Sequence, residues 1–254
     1  MAAATVAIAL LGLLIGSFAG VVAHRIPIGE SIMTGRSRCD SCGAQVAAYD
    51  NIPLVSWLLL RGRCRHCGAS IPARYPLIEA GLGAAFALTY LVLEDQGTAE
   101  VVLGLVFVTM LAIITLTDLE DRIIPNAVLL AGAGAALVIT VGFQSGELGE
   151  RLIAGAVAGG LLLLVALAYP RGMGMGDVKL TGVMGLFLGS AVAPAVLIGF
   201  LTGSILGVTL IAMHGAEARK QAVPFGPFLA LGGLIGLLAG DEIVDWYVNA
   251  FFSG

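Results

Sequence analysis

Long, uncharged apolar runs are the feature that most constrains how this chain folds. Several approach the roughly 20 residues that cross a bilayer, and the 254 residues are 58% apolar and only 12% charged. A soluble domain carries about twice that charged fraction, so an ordinary soluble enzyme, a disordered chain and a secreted disulfide scaffold are excluded. The 36 glycines follow no three-residue repeat and suit close helix packing in lipid. We predict an all-α polytopic membrane protein.

The apolar runs predict eight membrane-spanning helices. The sixth run is short and rich in glycine, and Pro224 and Pro227 interrupt the eighth. We interpret the first run as a retained helix, because no Lys or Arg precedes it and no small-residue cleavage site is evident. The predicted ranges are 4–23, 76–93, 101–117, 125–143, 152–169, 178–192, 194–213 and 224–240.

The positive charges predict the orientation of these helices, because Lys and Arg in short loops stay cytoplasmic. With eight spans, twelve of the 13 Lys and Arg fall on one side, and Arg151 is the exception. Both termini are therefore expected outside, with segment 24–75 in the cytoplasm. The twelve are Arg25, Arg36, Arg38, Arg61, Arg63, Arg65, Arg74, Arg122, Arg171, Lys179, Arg219 and Lys220.

All four cysteines lie in segment 24–75, in two C-x-x-C-G motifs formed by Cys39 with Cys42 and Cys64 with Cys67. Two such motifs, 21 residues apart, are typical of a structural zinc site with four thiolate ligands. A pair of disulfides is the alternative, which a reducing cytoplasm disfavours. An insert of about fifty residues is too small for a secure core, so metal would supply much of its folding energy.

Two other features of the insert allow more than one interpretation. His66 lies inside the second motif and could be a ligand, but four cysteines already complete a tetrahedral site. The seven arginines could contact nucleic acid or anionic lipid, or could simply hold the segment in the cytoplasm. We favour a bystander role for His66, a topological role for the arginines and no nucleic-acid partner.

Ionisable residues at the edges of spans are functional candidates, and two aspartates are foremost. Asp118 follows the third span, and Asp177 follows a glycine-rich turn that opens the sixth. Two spans separate them, so both return to the same face. Paired aspartates can share a proton, leaving one as general base toward water and the other as general acid, which is the chemistry of peptide hydrolysis.

Neighbouring residues are candidates for supporting roles. Gly174 and Gly176 would let a backbone or substrate strand approach Asp177 closely. Lys179 either tunes the ionisation of Asp177 or extends to the membrane interface. Glu79, early in the second span, is either functional or a carboxylate that complements its helix dipole. The sequence contains no H-E-x-x-H helix, G-x-S-x-G elbow or phosphate-binding loop.

Taken together, the chain resembles the type IV prepilin peptidases, which are intramembrane aspartyl proteases with a GxGD motif. The resemblance covers nearly the whole chain. It rests on GSF at 16–18 with RIP at 25–27, the two cysteine motifs, NIP at 51–53 with LRGRC at 60–64, YP at 75–76 with Glu79, Asp118 with IP at 124–125, GMGDVK at 174–179 and PFGP at 224–227.

The resemblance implies cleavage of a short basic leader from type IV prepilins or pseudopilins by Asp118 and Asp177, at the cytoplasmic face of the bacterial inner membrane. It also implies methylation of the new amino terminus with S-adenosylmethionine. The domains expected are a first transmembrane helix at 1–23, the zinc-binding insert at 24–75 and a seven-helix peptidase domain at 76–254. The family usually has Asn at the position of Gly20, which puts methylation, but not proteolysis, in doubt. The residues that bind the donor, and any dimerisation, are left open.

Two other classes of protein fit parts of the pattern. An ion-coupled transporter also uses intramembrane carboxylates in glycine-broken helices. It predicts an internal repeat and acids near the midplane, whereas Asp118 and Asp177 lie at the edges of their spans. A zinc-dependent anchoring protein would make the aspartates merely topological, so that changing either one to Asn would be silent.

Overall fold

The structure, a computed structural model, describes residues 1–32, 35–170, 172–214 and 223–251. Within these ranges it contains nine α-helices and, apart from two isolated β-bridges, no strand. The helices are α1 (Ala2–Arg25), α2 (Val55–Leu59), α3 (Arg74–Leu93), α4 (Thr98–Asp121), α5 (Asn126–Phe143), α6 (Leu148–Ala168), α7 (Met175–Leu188), α8 (Val192–His214) and α9 (Gly226–Phe251). All except α2 match the predicted spans in order, which confirms the all-α membrane architecture.

The last three membrane helices differ in detail from the prediction. Helix α7 has 14 residues and is about 21 Å long. A continuous apolar segment, 175–213, runs through α7 and through α8 as far as residue 213. Seven apolar segments in the described chain are long enough to cross a membrane.

Helix α9 begins at Gly226, so Pro227 lies in its first turn, where a missing N–H costs no helical bond. The prolines therefore open this helix instead of interrupting it.

The chain forms two compact units, Met1–Val92 and Leu93–Gly254, called unit 1 and unit 2 below. Unit 1 contains α1, the cysteine-bearing insert with α2, and α3. Unit 2 contains α4 to α9. The functional boundary at residue 76 stays a prediction. Arg171, Arg219 and Lys220, which contributed to the predicted orientation, lie outside the described residues.

Aromatic and glycine contacts hold the helices of unit 2 together. Phe107 of α4 stacks on Phe187 of α7 with ring centroids 4.8 Å apart, and both rings are buried. Helix α6 packs closely on α7, since a Cβ at Gly159 would lie 3.1 Å from the Cα of Gly182. Large apolar side chains such as Phe143 are exposed on the outside, where lipid would cover them. These contacts fix the short helix that carries Asp177.

Arg151, the one positive charge on the wrong side of the predicted topology, is buried in unit 2. Its guanidinium lies 2.6 Å from carboxylate oxygens of both Glu100 and Glu147, and it also donates to the backbone carbonyl of Phe187. A buried charge that is paired and hydrogen-bonded is tolerated. Arg151 therefore joins the starts of α4 and α6 to the end of α7, and it is not a loop charge that reports sidedness.

Candidate active site and metal site

Asp118 lies in the last turn of α4 and is buried, with 6% of its surface exposed. The helix ends at Arg122, whose left-handed backbone has φ +56° and whose N–H bonds to the carbonyl of Asp118 at 3.1 Å. The Oδ2 atom of Asp118 accepts a hydrogen bond of 2.7 Å from the backbone N–H of Gly226, at the start of α9. The carboxylate is thus held between two helices.

Asp177 lies in the first turn of α7 and is half-buried. Its Oδ2 atom accepts a 3.3 Å hydrogen bond from the backbone N–H of Gly174, the residue that precedes the helix. A carboxylate at the third helical position commonly caps a helix in this way. Asp177 therefore has a structural role that any functional test must separate from chemistry.

The structure brings Asp118 and Asp177 together at one end of unit 2. The two carboxylates lie near enough to interact electrostatically. The segments around them also touch, since a Cβ at Gly176 would lie 3.0 Å from the Cβ of Ile124. The Nζ atom of Lys179 donates a 3.0 Å hydrogen bond to the side-chain oxygen of Asn126, at the start of α5. The end of α4 and the starts of α5, α7 and α9 therefore share this end.

Two contributors to this site have no role assigned from the sequence. Gly226 supplies the N–H that binds Asp118, and Asn126 binds Lys179, which makes its hydrogen bond there and not to Asp177. The PFGP motif at 224–227 was a sequence signal for the first of these. The motif could not show its target, because the two residues are 108 positions apart in the chain.

The four cysteines of unit 1 meet in one cluster. Their sulfur atoms all lie within 4.8 Å of one another, and those of Cys39 and Cys67 are 3.8 Å apart. Four thiolates bound at about 2.3 Å to one tetrahedral zinc ion lie roughly 3.8 Å apart, so the cluster could hold zinc. All four are free cysteines, and His66 is not part of this ligand set as described.

The two cysteine motifs have the same local structure. In each, the N–H of the first cysteine bonds to the carbonyl five residues on, and the glycine N–H bonds back to that cysteine's carbonyl. Gly43 and Gly68 have φ of +69° and +74°, which glycine adopts without a steric penalty. Hydrogen bonds from the backbone of Cys42, and then of Ser41, lower the pKa of the Cys39 thiol to about 7. This favours a thiolate at Cys39, whereas hydrogen bonding to Cys42 and the other sulfurs raises the pKa of the Cys67 thiol to about 11.

One arginine of the insert supports its structure directly. Arg65 binds the carboxylate of Asp50 through two nitrogens, with Nε at 2.8 Å from Oδ2. Its guanidinium also lies 5.3 Å from the ring centre of Tyr49. The hydrogen bond from Arg65 lowers the pKa of Asp50 below its usual range, so this link persists as the pH falls to mildly acidic values.

Glu79 and Gly20 both lie in unit 1. The Oε2 atom of Glu79, in α3, accepts a 2.8 Å hydrogen bond from the backbone N–H of Leu54 in the insert. Gly20, in α1, faces Tyr75, and a Cβ there would make an ordinary contact of 3.6 Å with its ring. A side chain at position 20 would therefore meet no severe clash at its Cβ.

Comparison with known proteins places this architecture in a family. Residues 10–93 match the bacterial Peptidase A24 N-terminal domain, and residues 105–212 match the type IV leader peptidase family. A prepilin leader peptidase/N-methyltransferase of Aeromonas hydrophila is 37% identical, with 95% of this chain and 93% of the relative covered. The chain belongs to the type IV leader peptidase family. The match to the N-terminal family domain ends at residue 93, next to the boundary between unit 1 and unit 2.

Other members of the type IV leader peptidase family are similar over the same extent. Proteins with the same name from Pseudomonas aeruginosa and Bacillus subtilis are 33% and 34% identical, covering 96% and 94% of this chain and 93% and 96% of the relatives. No solved structure matches the chain significantly.

Proposed function

We propose that this protein is a membrane aspartyl endopeptidase that removes the leader from type IV prepilins or pseudopilins and then methylates the new amino terminus. The observation that carries the proposal is the meeting of Asp118 and Asp177 at one end of unit 2. The similarity to prepilin leader peptidase/N-methyltransferases over 95% of the chain supports it.

The two aspartates divide the chemistry of hydrolysis between them. Two neighbouring carboxylates do not ionise together readily, so the pair holds one proton. The ionised member takes a proton from water as the water attacks the scissile carbonyl, and the protonated member donates its proton to the leaving amine. The N–H of Gly226 and the N–H of Gly174 orient the two carboxylates.

The placement of the site suggests how a substrate reaches it. The apolar helices of unit 2 would pack against the apolar helix of a prepilin, and the scissile bond would lie at their cytoplasmic ends. Glu120 and Asp121 are exposed beside Asp118 and would attract the basic leader. This arrangement has the active site and the insert in the cytoplasm, both termini outside and the protein in the bacterial inner membrane.

The insert would contribute to the second activity. Cys39, Cys42, Cys64 and Cys67 would bind a structural zinc ion, which would hold the two cysteine motifs together. S-Adenosylmethionine would supply the methyl group. Because the sequence has no glycine-rich nucleotide fingerprint, the donor site must be sought in the tertiary structure.

Mass spectrometry of a prepilin incubated with the detergent-purified protein tests both activities. We expect loss of the leader, with one methyl group on the new amino terminus only when S-adenosylmethionine is present. Cleavage without methylation would restrict the function to proteolysis and point to Gly20. No cleavage by folded, zinc-loaded protein would contradict the proposal and favour the transporter alternative, which the relatives do not support.

Substitution of Gly226 by Ala should lower the cleavage rate by about 10²-fold, because displacing a reacting group by about 1 Å has an effect of that size. A Cβ at this position would lie 2.8 Å from Oδ2 of Asp118, so the carboxylate or helix α9 must move. Gly134→Ala in α5 is the matched control, since a Cβ there meets nothing within 4 Å. Equal cleavage rates for both variants would show that the Gly226 contact does not position Asp118.

A further inference from the structure

Unit 1 contains a cavity of about 730 Å³. This volume is within the range of small-molecule and cofactor sites, roughly 300–1,000 Å³. Its walls come from α1, α2, α3 and the insert, and they include Gly20 and the aromatic side chains of Trp57 and Tyr75. The Arg74 guanidinium already lies over the Tyr75 ring, 5.2 Å from its centre. The Trp57 indole suits stacking with a purine, so the cavity fits a nucleoside-containing methyl donor.

The acidic residues that line this cavity are not equivalent. Glu30 and Asp40 are exposed. Both carboxylate oxygens of Asp50 accept hydrogen bonds from Arg65. Glu79 is half-buried and lies on a membrane helix. Its Oε2 atom binds the N–H of Leu54, and among the described residues no hydrogen bond to Oε1 is seen. Glu79 therefore presents an acceptor for which the described part of the chain supplies no donor.

The backbone around Glu79 is held firmly. Helices α1 and α3 touch at this level, since a Cβ at Gly16 would lie 2.8 Å from the Cα of Glu79. Leu54 forms a tight turn with φ +60° and ψ −50°, in which the N–H of Val55 bonds to the carbonyl of Pro53 at 2.6 Å. That conformation is rare for a residue with a side chain, and strained backbone of this kind concentrates at functional sites.

We propose that Glu79 is a catalytic residue of methyl transfer, binding the new α-amino group of the cleaved substrate in this cavity and accepting its proton. The inference rests on the methylation proposed above. An α-amino group has a pKa of about 7.7–8.0, so at neutral pH its nitrogen is mostly protonated and has no free lone pair. A general base within hydrogen-bond reach removes this obstacle.

The step balances without any further reagent. One N–H bond of the ammonium breaks and an O–H bond forms on Glu79. The nitrogen lone pair then forms a bond to the methyl carbon, and the bond from that carbon to sulfur breaks, leaving a neutral thioether. Glu79 afterwards returns its proton to solvent through the open side of the cavity.

The test compares Glu79→Gln with Glu79→Ala and with Asp95→Asn, which removes an exposed carboxylate just beyond the far end of α3. Gln keeps an acceptor for the Leu54 N–H but has no charge and cannot act as a base, whereas Ala loses both. Each full-length variant is assayed for leader cleavage, for methylation of the cleaved pilin and for equilibrium binding of S-adenosylmethionine.

We expect Glu79→Gln to cleave prepilin at the wild-type rate and to bind the donor within about twofold, while methyl transfer falls by about 10²-fold or more. Asp95→Asn should match the wild type in all three measurements. Wild-type methylation by Glu79→Gln would overturn the inference and leave Glu79 as a support for the Leu54 turn. Loss of donor binding would also overturn it, because Glu79 would then belong to the donor site. A wild-type protein that cleaves but never methylates would instead refute the proposed second activity.

Discussion

Replacing either Asp118 or Asp177 by Asn should reduce leader cleavage by roughly 10²–10⁴-fold, which is the scale of losing a general acid or base. The Asn side chain keeps an oxygen that can accept the N–H of Gly226 or of Gly174, so the local backbone should stay in place. The double variant should be barely worse than either single one, because the two groups act as a unit. The rate of leader loss, followed by mass spectrometry, measures all three.

The control for these variants is Asp121→Asn, which removes an exposed carboxylate three residues beyond Asp118. It should cleave within severalfold of the wild-type rate, with the loss confined to weaker attraction of the basic leader. A well-folded Asp118→Asn or Asp177→Asn variant with substantial cleavage would remove the aspartates from the mechanism. Such a result would fit the anchoring protein, in which both aspartates are topological.

The second large effect is expected from loss of one zinc ligand. Cys64→Ser should weaken zinc binding by more than about 10²-fold, since changes outside the ligand shell alone reach that size. Because metal binding and folding of a small domain are coupled, segment 24–75 should then become sensitive to protease. Metal content by mass spectrometry and limited proteolysis of the purified protein measure the two consequences.

His66→Gln is the matched control for the zinc prediction, since His66 lies between Cys64 and Cys67 but outside the ligand cluster. It should retain one zinc ion per chain and a protected insert. Retention of zinc by Cys64→Ser, or its loss from His66→Gln, would show that the ligand set differs from the four cysteines.

The sequence was sufficient for the features that depend on local pattern. Runs of apolar residues decide which segments cross a membrane, because an unpaired backbone group in lipid is costly in any other conformation. The spacing within each C-x-x-C-G motif likewise predicts the local turn, since the glycine at 43 or 68 is needed for its positive φ. The helix order and the cysteine cluster were therefore predicted correctly before any tertiary contact was known.

Local pattern was insufficient where a residue's partner lies far along the chain. Arg151 counted as an exception to the charge rule, and only its burial against Glu100 and Glu147 explains it. Pro227 resembled an interruption of the eighth span, although it lies in the first turn of α9.

The sequence by itself determined the membrane architecture and the candidate residues. Hydrophobic runs, the number of spans between two loops and the spacing within a motif can all be read along the chain. Only the tertiary structure decided which N–H holds Asp118, that Lys179 binds Asn126, and that Glu79 accepts the N–H of Leu54 beside a cavity. The physical reason is that hydrogen bonds act over about 3 Å in space, and helix packing alone brings such distant positions within that reach.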